Sequence, residues 1–363
     1  MNKTKIRQEE QLNFLKTGKN IEVGNIDNLP INIEEIKMID EKSKCLKEVH
    51  DDGLTAKVFK IEINGNLYNL KKKRNEILVK NVDGQTSFLN EIQRRRDFEK
   101  LRKENEVLDK GIIKTIYANL KEGFIFSEWI EGNSIKEYKR DIFKNIFNLL
   151  VNIELNGIME WDVCSGNILL DKKGDIKLFD FGYTYLFNPL KEFNSEGKSE
   201  PLFHSVERFE TRTFMQYLLD KELETNNKNT LKLYKIEKEE AIKAYNYKIN
   251  WLTENNADLD IIEYFENLVK KWENNIQNND SLKNLYDLER FRSYILDVQD
   301  DLSGKSCTPK TLQKVEIILD IIERKHSFLK ENKGYLWDDK KMNKKGLIKK
   351  YESLKNKVIK YQL

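Results

Sequence analysis

Asp162-Val163-Cys164-Ser165-Gly166-Asn167-Ile168-Leu169-Leu170, followed by Ile176-Lys177-Leu178-Phe179-Asp180-Phe181-Gly182, is the stretch that decides how the chain reads. An Asp and an Asn five positions apart precede a short apolar run, Asp171-Lys172-Lys173-Gly174-Asp175 supplies turn chemistry, and a second apolar run ends on another Asp. The pattern predicts a β-hairpin with Asp162, Asn167 and Asp180 at its mouth. Three oxygen-bearing side chains there suit magnesium and phosphate, because Mg²⁺ takes one or two carboxylates and fills its shell with phosphate and water oxygens. Asp180 and Asn167 fit as metal ligands, which leaves Asp162 to accept or orient a hydroxyl proton. A lone Asp-Phe-Gly would read as an ordinary turn. The joint order and spacing, with apolar strands between, read as a site.

These residues resemble the protein-kinase superfamily, whose catalytic loop reads H-R-D-x-x-x-x-N and whose metal-binding turn reads D-F-G. Asp162, Asn167 and Asp180-Phe181-Gly182 match in type, order and spacing. Phosphoryl transfer asks little covalent chemistry of a protein, so the site mainly aligns a hydroxyl with the γ-phosphoryl group and neutralises charge. There are departures. Glu160-Trp161 stand where His-Arg usually precede the Asp, so activation through an Arg that reads a loop phosphate is not expected. Cys164 stands where Ser/Thr kinases carry a phosphate-contacting Lys. Cys164-Ser165-Gly166-Asn167 is similar to the His-Pro-Gly-Asn ending found in small-molecule kinases such as aminoglycoside and choline phosphotransferases, whereas Gly182 stands where those enzymes often carry an acidic residue. No clear Ala-Pro-Glu follows; Glu200-Pro201 and Val206-Glu207-Arg208 come nearest.

Toward the N-terminus, Phe59, Ile61 and Ile63 alternate with Lys60 and Glu62, then Asn64-Gly65, then Asn66-Leu67-Tyr68-Asn69-Leu70-Lys71. Asn-Gly between two strand-like runs predicts a two-residue hairpin, since both residues tolerate positive φ. Just before it lies Asp51-Asp52-Gly53-Leu54-Thr55-Ala56-Lys57-Val58. Aligned on Val58, it resembles the phosphate-covering loop G-x-G-x-x-G-x-V, with Asp51, Gly53 and Ala56 at the glycine positions and only one glycine kept. Lys71 ends the second strand as the Lys does in V-A-I-K, which implies contact with the α- and β-phosphates; Lys72 or Lys73 takes that role if the register slips. Residues 88–101 carry apolar side chains at helical spacing, with Glu91 on or near the apolar side. A carboxylate there is costly without a partner, and the resemblance makes Lys71 that partner. Residues 112–117 and 124–130 read as two more strands about a turn at Lys121-Glu122-Gly123. Glu128-Trp129-Ile130-Glu131-Gly132 resembles the segment that links the kinase lobes, where Glu128 and Ile130 would meet the adenine edge.

Ser134 reads as the cap of a short helix from Ile135. Ile142, Phe143, Ile146, Phe147, Leu149, Leu150 and Ile153 predict a buried helix that Asn156-Gly157 ends. Further on, Tyr245, Ile249 and Leu252, the set from Leu259 to Trp272, and the set from Leu312 to Leu329 carry helical periodicity. Thr308 is placed to cap the last of these, with Pro309 at the first helical position. Residues 1–45 show no catalytic signature and read as a partly ordered arm against the first lobe.

Sixty-four basic against 61 acidic residues in a chain of 363 give a net charge of +3. Such near-neutrality gives no case for nucleic acid. Cys45, Cys164 and Cys307 lack the spacing of a zinc site or of a disulfide framework, so free thiols in a reducing compartment are expected. No apolar run approaches the roughly 20 residues that span a bilayer, and the first residues lack the apolar core of a secretory signal. A cytoplasmic location is expected, with signal-less export left open.

The expectation is an α+β chain of kinase-like, bilobal build. It comprises an N-terminal extension (1–45), an N-lobe of antiparallel sheet with one main helix (46–131), the catalytic core of a mostly helical C-lobe (132–215), and a helical C-terminal region (216–363) that completes the C-lobe and adds further helices. The resemblance implies ATP and Mg²⁺ as cofactors and transfer of the γ-phosphate to a hydroxyl acceptor. Asp180-Phe181-Gly182 tips the acceptor slightly toward a protein; a small molecule of sugar, aminoglycoside or choline type is the alternative. A non-catalytic pseudokinase, motivated by the sparse glycine loop and the missing His-Arg, and transfer of AMP instead of phosphate stay open. The C-terminal helices complete the lobe or offer a surface to a protein partner.

Overall fold

The computed structural model describes residues 2–51, 53–225 and 229–362, so Asp52 of the expected phosphate-covering loop lies outside the described residues. The chain is α+β, with an antiparallel sheet in its N-terminal part and a mostly helical C-terminal part. It divides into two units, Met1–Lys136 with Asn148–Asn188, and Glu137–Phe147 with Pro189–Leu363.

The first unit opens with helix α1 (Lys3–Lys16) and strand β1 (Glu22–Gly24), then a short helix α2 (Ile33–Met38) and β2 (Leu46–His50). Strands β3 (Ala56–Ile63) and β4 (Asn66–Lys73) follow, joined by Asn64 and Gly65 at φ 51° and 78°. That positive-φ pair matches the right-handed twist of the flanking strands. Helix α3 (Val82–Leu101), helix α4 (Glu106–Gly111), β5 (Thr115–Asn119) and β6 (Phe124–Glu128) complete a six-stranded sheet of order β1-β5-β6-β4-β3-β2. Every neighbouring pair is antiparallel.

Both faces of this sheet are covered, and the period-two alternation of its strands shows it. Phe124 and Phe126 join a core with Phe59, Ile61, Leu70 and Tyr117, whereas Ile125 between them joins Ala118, Phe88, Leu89 and Ile92 of α3 on the other side. Residues 21–39 are part of both layers: Ile36 and Ile39 belong to the first core, Ile21 and Val23 to the second. The partly ordered arm expected from the sequence is therefore a helix, a sheet strand and a second short helix, held by burial that periodicity in so polar a stretch does not reveal.

A small sheet lies further along the chain, with β9 (Ile168–Asp171) between β7 (Gly132–Ser134) and β10 (Ile176–Leu178). Ser134 pairs with Leu169 as the last residue of β7. It caps no helix, because the ladder claims its backbone, and helix α5 (Arg140–Leu155) begins only at Arg140. The chain then passes Gly157 at φ 77° and pairs β8 (Ile158–Glu160) with β11 (Thr184–Leu186).

The second unit is helical. Helix α6 (Ser205–Phe209) runs through a π-turn at Glu210–Phe214 into α7 (Met215–Thr225), followed by α8 (Thr230–Glu254), α9 (Leu259–Asn275), α10 (Asn279–Gly304), α11 (Pro309–Glu331) and α12 (Lys344–Lys360). Thr308 caps α11 in a reciprocal box with Thr311, and Pro309 sits at its start. Helices α10 and α12 escape the periodicity reading. Buried Asp287, Glu289 and Asp297 interrupt the apolar stripe of α10, and α12 buries only Leu347, Tyr351 and Val358. Among the described residues no helix is long and apolar enough to cross a membrane.

Candidate functional site

Strand β4 carries Lys71 opposite Val58 on one side and Ile125 on the other. Its Nζ lies 2.7 Å from Glu91 Oε2 and 2.9 Å from Asp180 Oδ2. Glu91 is on the sheet-facing side of α3, with its neighbours Leu89 and Ile92 in the core beneath the sheet. Its other oxygen accepts from Arg95 Nε at 3.0 Å and Nη2 at 2.9 Å, and Arg95 Nη1 reaches Thr115 Oγ1 at 3.2 Å. The Lys71 and Glu91 side chains are 8% and 2% exposed, whereas that of Asp180 is 42% exposed, so the cluster opens to solvent on the aspartate side.

The hairpin of β9 and β10 pairs Ile168 with Leu178. Beyond that last pair, the Phe179 N–H donates to the Asn167 carbonyl at 3.2 Å, which sets Asn167 beside the chain entering Asp180. Asn167 Nδ2 donates to the Asp162 carbonyl at 3.0 Å and to Asp162 Oδ2 at 3.3 Å. Lys71, Glu91, Asp162, Asn167 and Asp180 thus form one connected set inside the first unit. Asp180 adopts φ 67°, a left-handed conformation that costs a non-glycine residue about 1–2 kcal/mol. Such outliers persist where their surroundings over-determine them, and they gather at functional sites.

Burial pushes the Asp180 carboxyl upward, but the Lys71 ammonium outweighs it and holds the group below the ordinary carboxylate range. The same exchange holds for Lys71: burial alone would lower it, and the charges of Asp180 and Glu91 leave it above its ordinary value. Glu160 behaves in the opposite way. Fully buried at the end of β8, it is pushed up to about 8 by desolvation, with the Asp162 and Asp180 charges adding to the rise. Its Oε1 accepts the Asp162 N–H at 2.7 Å and its Oε2 accepts the Thr184 hydroxyl. Glu160 therefore ties the loop of Asp162 to the strand after Gly182.

The remaining residues expected at the site lie around this centre. Ala56 is buried at the start of β3, and Val58 pairs directly with Lys71. Gly53 is exposed, and Arg74 holds its loop by donating Nε to the Gly53 carbonyl at 2.7 Å and Nη2 to the Asp51 carbonyl at 2.6 Å. Glu128 ends β6 opposite Tyr68, exposed, and Ile130 follows it half-buried. No contact joins Gly53, Glu128 or Ile130 to the charged centre among the interactions described.

Sequence reasoning passes over Arg95, Arg74, Asn90 and the burial of Glu160. Arg95 stands four residues after Glu91, a spacing that places the two side chains together on a helix. Asn90 is a polar residue inside an apolar helical face, the one signal it gives. Arg74 offers no signal in a run of lysines.

Asn167 uses Nδ2 for both of its side-chain hydrogen bonds, which leaves Oδ1 available to a cation. Among the described residues there is no group of three His, Cys, Asp or Glu side chains able to cage a metal. Magnesium needs no such cage when phosphate and water complete its shell, so one carboxylate and one amide oxygen fit it. No model of a known protein family matches the chain, and no curated protein matches it in sequence.

Proposed function

We propose that the first unit carries an ATP- and magnesium-dependent phosphotransferase site of protein-kinase-like build, which moves the γ-phosphate to a hydroxyl acceptor, a protein hydroxyl before a small molecule. One observation carries the reading. Lys71 is held between Glu91 and Asp180 while Asp162 and Asn167, bonded to each other, sit on the loop whose main chain meets Phe179.

In this reading Lys71, fixed by Glu91, turns the N–H that it gives Asp180 to the phosphate oxygens. Glu91 keeps Arg95 as its second partner throughout, so the exchange strands no buried charge. Asn167 Oδ1 and Asp180 are the residues that would hold magnesium, whose chemistry there is neutralisation of phosphate charge. Asp162, oriented by the Asn167 amide and by its own N–H bond to Glu160, accepts the proton of the acceptor hydroxyl. The missing His-Arg and the sparse glycine loop remove a regulatory arginine and a flexible cover, and neither group belongs to this set.

Incubation of the purified protein with Mg²⁺ and ATP labelled at the α- or γ-position tests the assignment. The wild type is expected to release or transfer the γ-label, with Asp162→Ala slower by about a thousandfold. Transfer of the α-label would make the reaction AMP transfer. A nucleotide-dependent thermal shift without turnover on any protein or small-molecule hydroxyl would end the enzyme reading in favour of a binding module.

A further inference from the structure

Helix α1, for which the sequence suggests no role, is bonded to the site through a relay of buried side chains. Thr86 Oγ1 lies 3.0 Å from both Gln11 Oε1 and the Val82 carbonyl; Gln11 Nε2 donates to Asn90 Oδ1 at 3.0 Å. Asn90 Nδ2 then faces three main-chain carbonyls, those of Phe181 at 3.1 Å, Gly182 at 3.1 Å and Thr184 at 2.8 Å. Gln11, Thr86 and Asn90 are all buried, so water does not substitute for these bonds.

An amide has a donor end and an acceptor end, and the three carbonyls accept only the donor end. Gln11 enforces that choice by presenting an N–H to Asn90 Oδ1. A reversed Asn90 would set its oxygen against three carbonyl oxygens and leave buried acceptors unmet, a penalty of about 1–3 kcal/mol. Asn90 precedes Glu91, so successive residues of α3 hold the backbone beyond Asp180 and the Lys71 ammonium. The backbone is close: a Cβ on Gly182 would stand 3.3 Å from Ser87 Cβ of the same helix. Phe181 packs on Phe98, also of α3, with ring centroids 4.7 Å apart. From α1 itself, Arg7 pairs with Asp83 at 2.9 Å and lies 3.4 Å over the Tyr185 ring, touching both α3 and β11.

We propose that α1 is a positioning element of the site: Gln11 orients the Asn90 amide, and Asn90 holds the 180–184 main chain where Asp180 meets Lys71. The consequence for turnover rests on the phosphotransferase reading above; the structural part does not.

Two variants of similar size test it. In Gln11→Glu the carboxylate gives Asn90 no donor and draws its N–H₂ away from the carbonyls. Gln11→Met removes the instruction without reversing it. Gln11→Glu is expected to raise hydrogen exchange of the 180–184 amides in the nucleotide-free protein by about tenfold and to lower kcat by about tenfold, with affinity for magnesium-free nucleotide unchanged because Lys71 and Glu91 are untouched. Gln11→Met is expected to do both by about threefold. Equal effects of the two variants, which loss of packing alone would give, or no change in exchange with Gln11→Glu, would overturn the proposal. A wild type without turnover strikes the phosphotransferase reading, and the exchange comparison then decides this inference by itself.

Discussion

Each unit buries a lysine among carboxylates, and the two clusters differ in whether a partner is left open. Lys71 of the first unit meets Glu91 inside and Asp180 at the solvent edge. Lys238 on α8 of the second unit lies 2.6 Å from Glu210, 2.6 Å from Glu289 and 3.6 Å from Glu237, and its side chain is 0% exposed. Glu289 also accepts from Tyr234 at 2.6 Å and Trp272 at 2.9 Å. A cavity of about 200 Å³ borders Glu210 and Glu289 without reaching Lys238. Burial pushes Glu237 up to about 7 and Glu210 well above its ordinary value, while the Lys238 charge overcomes burial at Glu289 and holds it low. Lys238 thus sits among three carboxyls, and Lys271, 3.5 Å from Glu289 Oε1, adds a second cation at the edge of the cluster. The contrast teaches that buried charge by itself marks no site. A lysine sealed from solvent keeps its partners, whereas one with a partner at the solvent edge can exchange that partner for a ligand.

The largest expected effect separates the two. On the phosphotransferase reading, Asp180→Ala should lower phosphotransfer by about a thousandfold yet change stability by less than about 1 kcal/mol, since Glu91 still pairs Lys71 and Asp180 is partly solvated. Kinetics and urea unfolding measure the pair of effects, and a loss of several kcal/mol would move Asp180 into the structural class. Lys238→Met should do the reverse, costing about 3–5 kcal/mol by removing the cation that meets buried Glu210 and Glu237. A shift of the urea midpoint equivalent to less than 1 kcal/mol would dissolve the contrast.

The smallest effect sharpens it through pH. Glu160 in the folded chain titrates at about 8, against about 4.3 for an unfolded Glu. Between those values the folded state holds a proton that the unfolded state has released, so stability falls as pH rises through that window, by roughly 1 kcal/mol per pH unit. Glu160→Gln keeps an acceptor for Asp162 and a partner for Thr184 and should flatten that slope. Denaturation at pH 5, 6.5 and 8 reads the difference, and parallel slopes for the two proteins would mean that Glu160 is not a buried neutral group.

Local geometry explains what the sequence exposes. Asn64-Gly65 dictates a turn and thereby the register that carries Lys71, and helical spacing sets Glu91 on the face toward the sheet. Asp162, Asn167 and Asp180 stand within one hairpin and its entry loop, so short-range rules reach them. The Lys238 cluster lies beyond such rules. Tyr234, Glu237 and Lys238 look like the solvated face of a charged helix, and their partners Glu210 and Glu289 sit on elements distant in sequence. Gln11 is equally mute, because its meaning depends on Asn90 and on carbonyls more than a hundred residues further along the chain. Ser134 misleads because a strand ladder, a long-range partner, overrides a cap preference.

Glu91 divides its two oxygens between Arg95 and Lys71. The seating of α3 therefore does not hang on the residue that would touch nucleotide. If the first unit is the phosphotransferase proposed above, a descendant that lost Lys71 would forfeit that chemistry while Arg95 kept Glu91 paired, so a single substitution would separate enzyme from scaffold.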